Sequence, residues 1–288
     1  MTVAFKHIAW NGISLDLPMD WQVATLGVDH LFLEDNNGPA LEITWAGKFQ
    51  PGRLEVLMAR FVLRAQQRFS MAVVPLTLPL DRVTLGAEMD LAWFSWAAHP
   101  SRGKGVLMGC SQCRRLFILR FFTGVENLSD SLVEKVVFSF KENCGKGPGH
   151  WKLFGLELTT PDGFKLSNYS FRPGSFMMDF KARFQSLTAY SWGPAAFLLL
   201  TDNLEAFARK RVDLPDIAPR EERCDHDPFL AWDWEGVAWP LVFLRQRQAF
   251  RVHHNRRNNR IIGLRSRSRG RYGAVPWNLE RLMKGCLD

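Results

Sequence analysis

The chain repeats itself, and no other property of the sequence restricts its fold as much. Gly12-Ile13-Ser14-Leu15-Asp16-Leu17-Pro18, followed by Trp21, returns as Gly155-Leu156-Glu157-Leu158-Thr159-Thr160-Pro161, followed by Phe164, at an offset of 143. Four further segments return in the same order: residues 41–47 in 188–193, 91–96 in 230–234, 115–120 in 260–265, and 134–137 in 280–283. Matches that keep their order along the chain point to a duplicated module, and this governs every later assignment. A length of 288 residues suits two domains at roughly 150 residues each. The joint reads Gly145-Lys146-Gly147-Pro148-Gly149, the composition of a turn or short linker, so the expected domains are residues 1–145 and 150–288.

Within each half the periodicities alternate between two and 3.6. The first half predicts strands over 5–17, 21–32 and 41–45, then a helix over 53–69 with Leu54, Leu57, Met58, Phe61, Val62 and Ala65 on one face. Strands over 84–97, 105–111 and 116–122 follow, and a helix over 129–142 closes the half with Ser129 as its cap. In the second half the corresponding helices fall over 202–211 and 276–285. The order β-β-β-α-β-β-β-α argues an α+β class, with two tandem α/β sandwich domains, each a central antiparallel sheet with helices packed on it.

The opening phrase from Ile8 to Trp21, apolar-Gly-apolar-x-apolar-x-apolar-Pro-x-x-Trp, with this element order and a closing helix ending in Ser139-Phe140, resembles the Mog1/PsbP-like superfamily. The resemblance covers the first half fully and the second, as a diverged copy, more loosely. It implies a small α/β/α sandwich and a non-catalytic partner-binding or assembly role, and it assigns no functional residue.

Charge separates the halves. Residues 241–288 hold twelve basic side chains against two acids, Glu280 and Asp288, whereas residues 1–240 hold 25 basic and 27 acidic. The basic excess therefore belongs to one segment. That segment reads as a hairpin, with strands over 242–254 and 261–271 around a turn at Asn255-Arg256-Arg257-Asn258-Asn259. Strand alternation predicts one face carrying Arg245, Arg247, Arg251, Arg265, Arg267 and Arg269, with Arg256 and Arg257 at the tip. Like charges so placed need compensation. Water and first-half acids (Glu34, Asp35, Asp81, Glu88, Asp90) would serve. So would an acidic protein surface, the favoured partner, since guanidinium forks match carboxylates. Nucleic acid is the third option, though apart from Tyr272 and Trp277 the hairpin has few aromatics.

Cys110-Ser111-Gln112-Cys113 is a CxxC at the turn equivalent to Asn255–Asn258 of the second half. A zinc knuckle uses that context but needs two further ligands, and Cys144, His150, Cys224 and His226 lie in remote segments. The reading assigns no metal and no cofactor, with Cys110 and Cys113 as the candidates it would use. Cys224-Asp225-His226-Asp227 reads as a loop, and His253-His254 as part of the basic hairpin. Phosphate-loop, dinucleotide, zincin and nucleophile-elbow motifs are not present. The expectation is a cytoplasmic, non-enzymatic binding protein that avoids membranes, docks an anionic macromolecule and is open to homo-oligomerisation. The competing reading is a small-molecule-binding protein or enzyme that uses a tryptophan-lined seam between the domains, suggested by eleven tryptophans.

Overall fold

In the computed structural model the described residues are 3–76, 89–123, 129–144, 147–224, 227–238 and 241–269. They divide into two compact units, Met1–Gly145 and Lys146–Asp288. Antiparallel sheet dominates both, with few helices.

Unit 1 opens with the hairpin β1 (Phe5–Trp10) and β2 (Ile13–Pro18), turned at Asn11 and Gly12, whose φ values of 43° and 91° suit the Asn-Gly pair. There follow β3 (Gln22–Leu26), β4 (His30–Asp35), β5 (Gly38–Gly47), α1 (Leu54–Phe69), β6 (Ala72–Leu76), β7 (Met89–Ala98), β8 (Ser101–Cys110) and β9 (Arg115–Phe122). The unit closes with α2 (Asp130–Ser139) and the short β10 (Lys141–Glu142), which pairs with β2. Seven strands form one sheet in the order β3-β4-β5-β9-β8-β7-β6.

Unit 2 opens with a second hairpin, β11 (Gly149–Leu153) and β12 (Leu156–Thr160). Next come β13 (Lys165–Arg172), β14 (Ser175–Ala182), β15 (Gln185–Trp192), the helices α3 (Ala195–Leu198) and α4 (Leu204–Arg211), then β16 (Arg220–Cys224), β17 (Asp227–Ala238), β18 (Leu241–Asn255) and β19 (Arg260–Arg269). Its sheet runs β13-β14-β15-β19-β18-β17-β16, the same order strand for strand as in unit 1.

The sheets are held by their side-chain alternation. In unit 1, Ile43, Leu119, Phe117 and Phe121 are buried on one face, where Phe140 meets Phe117 at 5.0 Å and Trp21 meets Phe121 at 6.4 Å. The opposite face receives α1, whose Leu54, Met58 and Ala65 pack with Phe49, Phe94, Trp96 and Leu107. In unit 2, α3 and α4 cover Trp192, Trp232, Phe250 and Ile261, and the other face packs Phe180 against Trp151 at 4.8 Å. Caps locate the helices as the composition suggests. The Ser129 hydroxyl accepts from the Leu132 N–H and the Asn203 side-chain Oδ1 from the Ala206 N–H, at 3.2 and 2.8 Å, each worth about 1 kcal/mol.

Several boundaries differ from expectation. The expected strands over 5–17 and 21–32 are each a pair of strands, because tight turns at 11–12 and 27–29 fold them back. Residues 101–104, left between the expected strands over 84–97 and 105–111, belong to β8, and the turn sits at His99-Pro100. The last helix stops at Ser139, since the chain extends at Phe140 to join β2. The expected helix over 276–285 lies outside the described residues.

Candidate anion-docking surface

Register decides where the arginines of the second unit point. In the β18–β19 ribbon Asn255 stands opposite Arg260, and the loop between them has four residues, 256–259. Odd positions on β18 therefore oppose even positions on β19. Arg251 pairs with Leu264, and Arg265 pairs with Phe250. Residues directly opposite in an antiparallel ladder share a face. The expected single guanidinium face is thus divided in two: Arg247 and Arg251 lie on one side, Arg265, Arg267 and Arg269 on the other. The expected turn was one residue longer, and one residue of turn inverts every side chain beyond it.

On the first side the charge is neutralised at home. Arg251, nine-tenths buried, makes two hydrogen bonds to the Asp233 carboxylate at 3.0 and 3.1 Å and approaches Glu222 at 3.4 Å. Arg220 joins the same two acids, and Arg247 donates to Glu235 at 3.1 Å. These carboxylates come from β17, the strand beside β18, and from β16 one strand further out, and not from the first-half acids named as compensators. Arg245 lies on this strand, but its side chain is outside the described residues.

The second side is different. Arg265 is 9% exposed, its Nη2 donates to the Gln248 Oε1 at 3.0 Å, and its guanidinium lies 5.6 Å from the centre of the Trp234 ring. No carboxylate pairs with it among the described residues, and its buried Nε–H finds no acceptor. Burial is the main cause that pulls its pKa below the ordinary arginine value, with Arg267 next to it adding to the effect. Burial also pushes the Tyr190 phenol up, and the cations Arg265 and Arg267 oppose that shift.

The equivalent position in unit 1 shows what is missing. Arg120 is the sixth residue of β9, as Arg265 is of β19, and its guanidinium also lies 5.6 Å from a tryptophan ring, that of Trp96. Across the ladder Arg120 faces Glu42 of β5, and the two form an ion pair that His30 extends at 3.1 Å. Arg265 faces Thr188 of β15. Thr188 gives its hydroxyl proton to Asp179 at 2.6 Å, and Asn168 donates to the same carboxylate. The acid closest along that row is therefore already engaged one strand further out.

Around Arg265 the same face gathers further cations. Register places Lys181 opposite Ser186 and Ser186 opposite Arg267, so β14, β15 and β19 carry one row, which Lys165 of β13 continues. Lys165, Lys181, Arg183, Arg267 and Arg269 are exposed. Among the described residues none of the five has an ion-pair partner; Arg267 is steadied by Gln248 at 3.2 Å. Lys165, Lys181 and Arg183 escape a reading of local charge density. They are scattered along the sequence, and only the strand order brings them beside β19. Arg256 and Arg257 are exposed at the ribbon tip, while Arg260 lies over Phe176 at 4.5 Å and donates to Ser191 at 2.8 Å.

The structure also places the CxxC. Cys110 ends β8 and Cys113 sits in the turn; both belong to unit 1, where Cys144 and Glu142 come up beside them. All three thiols are free. Burial, then a hydrogen bond to Glu142, pushes the Cys144 thiol up to about 12 and shifts Cys113 in the same direction. The side chain of Cys224 and the residues Asp225 and His226 are outside the described residues. Trp10, Trp21, Trp232 and Trp192 are buried in the packing of their own units.

No protein-family model matches this chain, and no curated protein does so. Among the described residues no helix is long and apolar enough to cross a membrane.

Proposed function

We propose that this protein is a non-enzymatic binding or assembly factor of the cytoplasm that docks an acidic protein segment on the sheet face of its second unit that carries Arg265. Arg265 receives a carboxylate of the partner, and Arg267, Arg269, Lys181 and Lys165 surround it with complementary charge. The observation that carries the reading is the buried guanidinium of Arg265, without the acid that Arg120 has at the same place. A buried charge without a counter-ion is costly, and a partner that supplies the carboxylate recovers a charge-assisted hydrogen bond in a partly desolvated setting. Arg247 and Arg251 drop out of the docking set because their own sheet neutralises them. The finer architecture we propose is two copies of an α+β sandwich of the Mog1/PsbP-like kind, which agrees with a binding role.

The test is titration of a glutamate-rich peptide, and of a single-stranded oligonucleotide of equal formal charge, into the full chain and into an Arg267→Glu/Arg269→Glu variant. The peptide should bind in a salt-sensitive manner, and the variant should bind it at least about tenfold more weakly, a loss of about 1.4 kcal/mol. Equal binding by the variant would remove the proposed face. Tighter binding of the oligonucleotide, with the steep salt dependence of phosphate contacts, would replace the protein partner with nucleic acid.

A further inference from the structure

The thiol cluster belongs to unit 1 and shares no residue with the arginine face of unit 2. Arg114 donates its N–H to the Cys110 carbonyl at 3.0 Å and takes a φ of 57°. That turn folds the CxxC back on itself, so Cys113 returns beside Cys110. The second arm comes from the end of the unit. Glu142 stands opposite Ile13 in the β2–β10 pairing, and Asn143 donates to the Gly12 carbonyl at 2.8 Å, which directs Cys144 over the same turn. The Cys110 and Cys144 sulfurs are 3.6 Å apart, and the Cys144 sulfur is 2.9 Å from Glu142 Oε2. One donor atom from each of the four side chains lies within 4.8 Å of every other.

We propose that Cys110, Cys113, Cys144 and Glu142 form a structural zinc site that ties the β8–β9 turn to β10. Tetrahedral zinc with sulfur at about 2.3 Å and oxygen at about 2.0–2.2 Å sets its ligands roughly 3.5–3.8 Å apart, a spacing the cluster already approaches. Glu142 adds an independent observation. Its side chain is 2% exposed, and its Oε1 makes no hydrogen bond, although Arg115 Nη1 is 3.5 Å away. Buried carboxylate oxygens are rarely left so, and a cation at the centre of the cluster would satisfy it. The Arg115 backbone N–H donates to the Cys113 sulfur, the kind of outer contact that orients a ligating thiolate. Three thiolates and a carboxylate around a divalent ion leave a net charge of −2, which the Arg115 guanidinium partly offsets. Soft sulfur donors in a closed tetrahedron favour zinc over magnesium or calcium.

The experiment is zinc quantification on the full chain purified with zinc and then desalted, with cobalt(II) substitution read by absorption. One zinc per chain is expected, together with the ligand-field bands of tetrahedral cobalt and a thiolate-to-cobalt charge-transfer band. Cys113→Ser and Cys144→Ser should each weaken cobalt binding at least tenfold, with the fold verified by circular dichroism. Glu142→Gln should keep the charge-transfer band and alter the ligand-field bands. Cys224→Ser and Cys286→Ser should leave both unchanged. A zinc-free chain without cobalt bands would overturn the proposal. So would binding abolished by Cys224→Ser or Cys286→Ser, or a Cys110–Cys144 disulfide in the freshly isolated chain.

Discussion

Arg120 and Arg265 occupy the same position in two sheets of the same strand order, each with a tryptophan ring at the same distance from its guanidinium, and they differ in one facing residue. Glu42 completes the first pair, whereas Thr188 leaves the second open. The lesson is that a duplicated fold carries its own control: the closed copy shows which ligand the open copy lacks. A carboxylate is built into the first unit, and among the described residues the second has none at that place.

Four substitutions break or sharpen this comparison. The largest effect is expected from Glu42→Ala, which leaves Arg120 half-buried without its acid. Unit 1 should lose about 2–3 kcal/mol, a figure reduced for partial exposure, in a denaturant titration. If that stability is unchanged, the closed pair is no model for the open one. Next, Thr188→Glu rebuilds the unit 1 pair in unit 2. The internal carboxylate should compete with the peptide and weaken its binding about tenfold, or about 1.4 kcal/mol by calorimetry. Unchanged affinity would show that Arg265 is not the receiving group.

Third, Arg265→Met removes a buried charge that has no counter-ion among the described residues, and the free chain should be unchanged or more stable by up to about 1 kcal/mol. Arg120→Met should act with the opposite sign, because it strands Glu42. A shared sign in thermal unfolding would contradict the distinction. The smallest effect belongs to Trp234→Leu, which removes the ring beside Arg265 and should cost about 0.5 kcal/mol of unit 2 stability.

Much of this was legible in the sequence. The repeat pointed to corresponding strands, the helices α1 and α2 followed from 3.6-residue periodicity with a cap at Ser129, and the helix expected over 202–211 contains α4. Parity was not legible. Matching Trp45 to Trp192 slides the alignment by one residue from the observed register, in which Glu42 and Thr188 take equivalent places and Trp45 corresponds to Ser191. The turn of the arginine ribbon was off by one residue as well, which put Arg251 and Arg265 on the same face. Composition cannot correct a slip of one, because apolar residues stand on both parities of β18 and β19, while the arginines of β18 and all but Arg260 of β19 are at odd positions and so suggest a single face. Hydrogen-bonded pairing settles it. The thiol cluster was half legible: the CxxC was visible, but the chain's return from α2 through β10, which brings Glu142 and Cys144 to it, depends on tertiary pairing.

The most direct measurement concerns the buried Nε–H of Arg265, which has no acceptor among the described residues. Arginine side-chain proton–nitrogen spectra, recorded as the glutamate-rich peptide is added, should show that resonance shift and become protected from exchange, while the Arg120 signal stays in place. Saturation with peptide and no change at Arg265, or an equal change at Arg120, would contradict the account.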